Sequence, residues 1–156
     1  MFRLRNWLAA LVAGAAFAGP AMADGHLEAA VVARQSVMRL YVHNISLLGG
    51  MAQGKIEYDA ETAGRAAEAL ALVARIDQSR MWPMGSDNGT LGNMTRAKPE
   101  IWGIASDVGA KYSALQDATA ALAKVAADDL AALQGAIEAV GGACGACHKA
   151  YRGPKP

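Results

Sequence analysis

The sequence is poor in aromatic residues and in cysteine, and neither sign of charge prevails. Aromatic residues make up 6% of the 156 residues, while alanine is abundant, and this balance favours helices over sheets. Two cysteines are too few for a disulfide-rich scaffold. Fifteen basic and fourteen acidic residues give a net charge of +1, so nucleic acid is not expected as a partner. With 53% apolar residues, the chain is long enough to bury the core of one helical domain.

The first 23 residues have the pattern of a secretory signal peptide. Arg3 and Arg5 precede an apolar run from Trp7 to Ala18, and residues 21–23 read Ala-Met-Ala, which fits a cleavage site. The apolar run is shorter than the ~18 residues that a membrane span needs. We therefore expect cleavage after Ala23 and export to the periplasm. Residues 24–156 would then form the mature domain, in which we expect no membrane span.

The mature domain is predicted to contain four helices. Helix one, from Leu27 to about Met51, has apolar residues at helical spacings, which predicts one buried stripe. That stripe consists of Val31, Met38, Tyr41, Val42, Ile45 and Leu48. Helix two begins after a cap at Asp59 and ends near Ile76. Helix three runs from Pro99 to about Ala126. Helix four begins after Asp128 or Asp129 and ends near Tyr151. Residues 78–98 carry turn-forming residues, and residues 153–156 are expected to be a frayed tail. Short joins and one long connection predict an all-α, antiparallel four-helix bundle.

The segment Cys144-Gly145-Ala146-Cys147-His148 has the attachment signature of a c-type haem. Residues three and four positions apart share one face of a helix. Both sulfurs can therefore form thioethers with the vinyl groups of one haem while the adjacent imidazole ligates the iron. The sequence predicts one covalently bound haem c, attached at Cys144 and Cys147, with His148 as an iron ligand.

Two other kinds of site use the same cysteines. A thioredoxin-like redox pair needs a βαβ frame, for which the sequence gives no sign. A tetrahedral zinc site needs a fourth ligand, and the only other histidines are His26 and His43. We expect both histidines to be solvated or structural.

Four motifs in order make the chain resemble the class II cytochromes c, which comprise cytochrome c′ and its low-spin, methionine-ligated relatives. The motifs are Arg34–Met38, Gly54 with Tyr58-Asp59, Lys98–Trp102, and the haem signature continuing into Ala150-Tyr151-Arg152. The resemblance covers nearly all of the mature chain. It implies a four-helix bundle with the haem attached near the C-terminus.

The resemblance also implies what helix one does. In that family, a residue on the first helix faces the iron from the side opposite the histidine. Cytochromes c′ have an apolar side chain there and can bind nitric oxide or carbon monoxide, whereas the low-spin relatives have a methionine as the sixth ligand. The matching residue is Met38, for which core packing is the alternative role. The expected function is a periplasmic electron carrier that exchanges single electrons with redox partner proteins and is not an enzyme. The alternative is a five-coordinate protein that binds nitric oxide or carbon monoxide.

Four other residues receive roles from the resemblance. Arg34 lies one helical turn before Met38 and is expected to contact a haem propionate, with a solvated cation as the alternative. Arg152 matches the basic residue that borders the proximal face, although its place near the chain end also fits an exposed cation. Trp102 and Tyr58 are expected to pack in the core or against the haem. Dimerisation through the first two helices is common in that family, and a monomer is also compatible with the sequence.

Overall fold

The computed structural model describes residues 21–155, with side chains from residue 25 onward. Five α-helices follow one another in this range: α1 (Ala21–Ala52), α2 (Ala60–Ala74), the short α3 (Asn88–Leu91), α4 (Val108–Val125) and α5 (Leu130–Tyr151). Each long helix packs on two others, since both α1 and α4 contact α2 and α5. The short joins after α1 and α4 make the helices that they connect antiparallel. The described range contains no strand, and the predicted all-α four-helix bundle is confirmed. Residues 1–20, most of the predicted signal peptide, lie outside the described residues.

Aspartates cap α2 and α5, as predicted. Asp59 Oδ1 accepts a hydrogen bond from the backbone N–H of Thr62 at 2.8 Å and so begins α2. Asp129 Oδ1 accepts from the N–H of Ala132 at 2.8 Å, which decides between the two candidate caps of α5. The end of α5 at Tyr151 also agrees with the sequence prediction.

The predicted start of the third helix at Pro99 is wrong. Pro99–Trp102 forms one 3-10 turn, and α4 begins only at Val108. Gly103 is extended, with φ −71° and ψ 155°, so the helical backbone stops there. We call residues 75–107, which join α2 to α4, the crossing connection. Residues 99–102, predicted as the start of a helix, belong to this connection. It also contains α3 and two further 3-10 turns, Ser79–Met81 and Gly92–Met94.

The main core lies where the long helices meet. Five large side chains in it have no solvent-exposed surface or almost none: Leu48, Leu70, Leu122, Leu133 and Val140. Alanines on the inner face of α2 allow its neighbours to approach closely. Val42 departs from the predicted stripe, because its side chain is 62% exposed.

The C-terminal segment is held in place as far as Pro154, whose carbonyl accepts from Arg96 Nε at 3.0 Å, so the expectation of a frayed tail from Gly153 on is wrong. The N–H of Gly153 donates to Arg96 O at 2.7 Å, and the N–H of Lys98 donates to Tyr151 O at 3.0 Å. Arg152 and Ala97 form an isolated antiparallel bridge. The extended stretch before Pro99 thus pairs with the end of α5, and Gly153 is buried.

By length and composition alone, α5 is apolar enough to cross a membrane. In the bundle it packs along α4 and α1 and carries the haem signature. Leu133 and Val140 of this helix are buried in the main core, and Ala143 lines the cavity described next. The absence of a membrane span in the mature domain stays a prediction.

Candidate functional site

A cavity of about 1030 Å³ lies between α1, α4, α5 and the crossing connection. Its walls are mostly apolar, with Ile45 of α1, Ile101 of the crossing connection and Leu115 of α4 among them. Ligand pockets commonly measure about 300–1,000 Å³ and have apolar walls with a few well-placed polar groups. This cavity is at the upper end of that range and suits a large, mostly apolar ligand.

Cys144, Cys147 and His148 all line this cavity. They lie in the last two turns of α5, where spacings of three and four residues put the side chains on one face. Both cysteines are free thiols and half-buried. Burial raises the pKa of both thiols, with the neighbouring Cys147 adding to the effect at Cys144 and Lys111 partly opposing it at Cys147.

These raised pKa values disagree with a thioredoxin-like redox pair, whose reactive thiol has a lowered pKa. A thioredoxin-like redox pair also needs a βαβ unit, and the described part of the chain has none. A zinc site has no support either: among the residues described, no three His, Cys, Asp or Glu side chains are grouped to hold a metal ion. His43 is exposed, and neither His43 nor His26 lines the cavity.

The surroundings of His148 favour the neutral form of its imidazole. Partial burial and the positive charges of Arg152 and Arg96 lower its pKa, which favours the neutral ring at pH 7. Arg152 Nη1 lies 3.5 Å from His148 Nδ1. The structure thus places Arg152 beside the histidine, on the rim of the cavity, with its side chain exposed.

Met38 lines the same cavity from α1. Its side chain is half-buried and packs against the main core. Tyr41, one turn further along α1, is 4% exposed and also faces the cavity, which confirms its predicted place on the buried stripe. One cavity is therefore bordered by a thioether from α1 and an imidazole from α5.

Gln78 joins the walls of the cavity through a polar network. Its Nε2 donates to Tyr41 Oη at 3.3 Å and to Tyr112 Oη at 3.1 Å, and its Oε1 accepts from Trp82 Nε1 at 3.3 Å. Tyr112 Oη in turn donates to Ala74 O at 2.7 Å, at the end of α2. Burial, reinforced by the neighbouring Tyr112, raises the pKa of Tyr41, so its phenol stays protonated. This one amide links α1, α4 and the crossing connection.

Arg34 is buried, with 3% of its surface exposed, so the solvated-cation alternative is wrong. Its Nη1 donates to Met81 O at 3.2 Å and to Ser86 Oγ at 2.6 Å. Its Nη2 donates to Ser86 O and, at 2.8 Å, to Thr95 Oγ1. The guanidinium carbon also lies 4.6 Å from the centre of the Trp82 ring.

These contacts occupy four of the five N–H donors of Arg34 and leave Nε–H for any other partner. Burial lowers the pKa of Arg34 to about 10, with Asp87 partly opposing, and the group remains a cation at pH 7. The side chain lines the cavity, but most of its hydrogen-bonding capacity is used by the crossing connection.

The family model for cytochrome c′ matches residues 29–152. The chain belongs to the cytochrome c′ family. It is 39% identical over 135 residues to cytochrome c-554 of Cereibacter sphaeroides, covering 85% of this chain and 88% of that protein. Two solved structures are also similar. Cytochrome c′ from Thermochromatium tepidum has 31% identity and a TM-score of 0.74, covering 82% of this chain and 97% of its own. A ferrous variant of cytochrome c′ from Alcaligenes xylosoxidans with bound nitric oxide has 33% identity and a TM-score of 0.70, covering 83% and 97%.

Family membership confirms the predicted class II cytochrome and its covalently bound haem c. The cavity fits that cofactor, because two thiols and a neutral imidazole on one helical face border a large, mostly apolar space. The assignment of Cys144 and Cys147 to the thioethers and of His148 to the iron stays a prediction, with which their shared position on the cavity wall is compatible. Trp102 lines the cavity, whereas Tyr58 packs against the main core and donates to Ala126 O at 3.0 Å.

Sequence reasoning missed Gln78, Trp82 and Tyr112 as residues of the cytochrome's cavity. The segment around Gln78 has the composition of a turn, and nothing in its pattern indicates a buried amide. Tyr112 lies on a helix that was predicted, yet its partner lies 34 residues away in the chain. Only the tertiary structure brings these side chains together.

Proposed function

We propose that this cytochrome is a periplasmic monohaem electron carrier in which His148 and Met38 are the two axial ligands of the iron. When bound, haem c supplies a reversible one-electron change at the iron. The observation that carries the proposal is that a thioether from α1 and an imidazole from α5 border the same cavity. The cytochrome would exchange electrons with other periplasmic proteins and would not be an enzyme.

Each residue has a distinct part in this proposal. Cys144 and Cys147 attach the cofactor covalently, so it is not lost in an exported protein. The neutral imidazole of His148 is a stronger donor than the thioether of Met38, which is soft and favours ferrous iron. The apolar walls limit the access of water to the haem, and this exclusion of water raises its reduction potential. With both axial positions filled, the site has no open position for a substrate.

The alternative function is a five-coordinate cytochrome c′ that binds nitric oxide or carbon monoxide. The related Alcaligenes protein with bound nitric oxide supports it, since that fold accommodates the gas. The two functions differ in a single bond, the one between Met38 and the iron. An experiment on that bond therefore separates them.

The test compares the purified holoprotein with its Met38→Leu variant. A low-spin wild type should become high-spin on substitution, because leucine keeps the shape of the side chain and removes the sulfur. The ferrous variant should then bind carbon monoxide rapidly. Met51→Leu is the matched control: Met51 is on the same helix, is 2% exposed and does not line the cavity, so its spectrum should stay that of the wild type. Identical high-spin spectra for all three proteins would support the gas-binding alternative.

The quaternary structure is a separate proposal. Val32 and Leu40 of α1 are 57% and 47% exposed, and Leu72 of α2 is 54% exposed. Apolar side chains on these two helices favour a homodimer through α1 and α2. Sedimentation equilibrium of the holoprotein distinguishes this dimer from a monomer.

A further inference from the structure

The guanidinium of Arg34 fastens α1 to the crossing connection. Its four occupied donors reach three separate points of that connection, at Met81, Ser86 and Thr95. Arg34 and Met38 are one turn apart and therefore on the same side of α1. The backbone that carries the thioether is thus attached to the crossing connection one turn before Met38.

The same connection is attached to the haem-bearing helix one turn after His148. Lys98 N–H donates to Tyr151 O at 3.0 Å, and Lys98 Nζ donates to Ala150 O at 2.9 Å. Arg96 Nε donates to Gly153 O at 2.8 Å, just beyond the end of α5. Residues 95–98 therefore lie between Arg34 on one side and the end of α5 on the other.

Met38 lies on α1 and His148 on α5, and both line the cavity, so the placement of these two helices sets the distance between the two candidate ligands. Among the pairs of neighbouring long helices, α1 and α5 have the least extensive contact. The crossing connection bridges them at the level of the site. This bridge comprises Ser86 and residues 95–98, which bind Arg34 of α1 on one side and residues 150–153 on the other.

We propose that Arg34 is a positioning residue for Met38, which it holds at ligating distance from the iron by tying α1 to this bridge. The inference rests on the proposed function, since it presupposes that Met38 is a ligand. Removing the guanidinium would release the bridge from α1, and Met38 would leave the iron more often. A vacant distal position then becomes available to carbon monoxide.

The experiment measures carbon monoxide binding to the ferrous holoproteins of the wild type, Arg34→Gln and Arg34→Lys. Loss of charge-assisted hydrogen bonds predicts a roughly ten- to hundredfold higher binding rate for Arg34→Gln. Arg34→Lys should give a smaller increase, because an ammonium keeps the charge but cannot reproduce the planar fork. Arg39→Gln is the matched control: it removes an exposed arginine next to Met38 and should leave the rate unchanged.

A second variant changes the partner of Arg34 in the crossing connection instead of Arg34 itself. Thr95→Val leaves α1 unchanged and removes the acceptor of one Arg34 hydrogen bond, together with that of the Ala97 N–H within the bridge. It should raise the carbon monoxide binding rate by a smaller factor. It also keeps the proposal testable if Arg34→Gln does not fold. Amide hydrogen exchange reports whether residues 79–98 loosen in each variant.

The outcomes separate this inference from the proposed function. A wild type that is already high-spin and binds carbon monoxide at once overturns both. A low-spin wild type with Arg34→Gln and Thr95→Val equally inert to carbon monoxide overturns the positioning role and leaves Met38 as a ligand. Faster amide exchange in residues 79–98 with an unchanged carbon monoxide rate also overturns it, since the bridge would then be structural only.

Discussion

The replacement Gln78→Leu is predicted to destabilise the folded protein by about 2–4 kcal/mol. Gln78 is 8% exposed, and its amide makes three side-chain hydrogen bonds around the cavity. Without it, Nε1 of the partly buried Trp82 loses its acceptor, which costs about 1–2 kcal/mol. The hydroxyls of Tyr41 and Tyr112 each lose a donor but keep carbonyl acceptors, so each adds about 0.5–1 kcal/mol. The added apolar burial of leucine offsets part of this total.

The assay is urea unfolding of the holoprotein at pH 7, followed by far-ultraviolet circular dichroism. Gln35→Leu is the control, because Gln35 makes one exposed hydrogen bond, to Met94 O at 2.8 Å. Its free energy of unfolding should stay within about 0.5 kcal/mol of the wild type, as for most surface substitutions. A change of less than about 0.5 kcal/mol for Gln78→Leu as well would refute the reasoning that this amide holds the cavity walls together.

Three further predictions concern the attachment, the core and a helix cap. The double variant Cys144→Ala with Cys147→Ala should release its haem into acidified acetone, whereas each single variant should retain it through one thioether; retention by the double variant would contradict the assignment. Leu133→Ala should lower the free energy of unfolding by about 2.7–5 kcal/mol and Leu72→Ala, at an exposed position, by less than about 1, as measured by urea unfolding. Asp59 has a lowered pKa because it accepts hydrogen bonds from Thr62, so its capping contribution is present at pH 7 and is lost as the pH falls through that lowered pKa. The difference in stability between the wild type and Asp59→Ala should shrink in acid, and a constant difference would contradict the cap.

Short-range patterns accounted for much of the fold and for the placement of the haem signature on one helical face. Asp59 begins α2 as predicted, because its side chain satisfies a backbone N–H three residues away. The haem signature is equally local: spacings of three and four residues on one helix put Cys144, Cys147 and His148 on one face. Interactions of this kind depend on few other parts of the chain, so the sequence alone reveals them.

The crossing connection could not be predicted in the same way. Pro99 and Glu100 resemble the start of a long helix. The helical conformation nevertheless ends after one 3-10 turn, because Gly103 is extended. Arg34 lies four residues from Met38, but its partner Thr95 lies 61 residues away in the chain. The sequence could suggest a polar contact for this arginine, and only the folded connection shows which atoms accept its hydrogen bonds.

The most direct test of the central claim is the absorption spectrum of the wild-type ferrous holoprotein before and after the addition of carbon monoxide. With His148 and Met38 both bound to the iron, the spectrum should be that of a low-spin haem and should not change with the gas. A high-spin spectrum that shifts promptly on adding carbon monoxide would contradict the proposed ligation. It would identify the protein as a gas-binding cytochrome c′ instead.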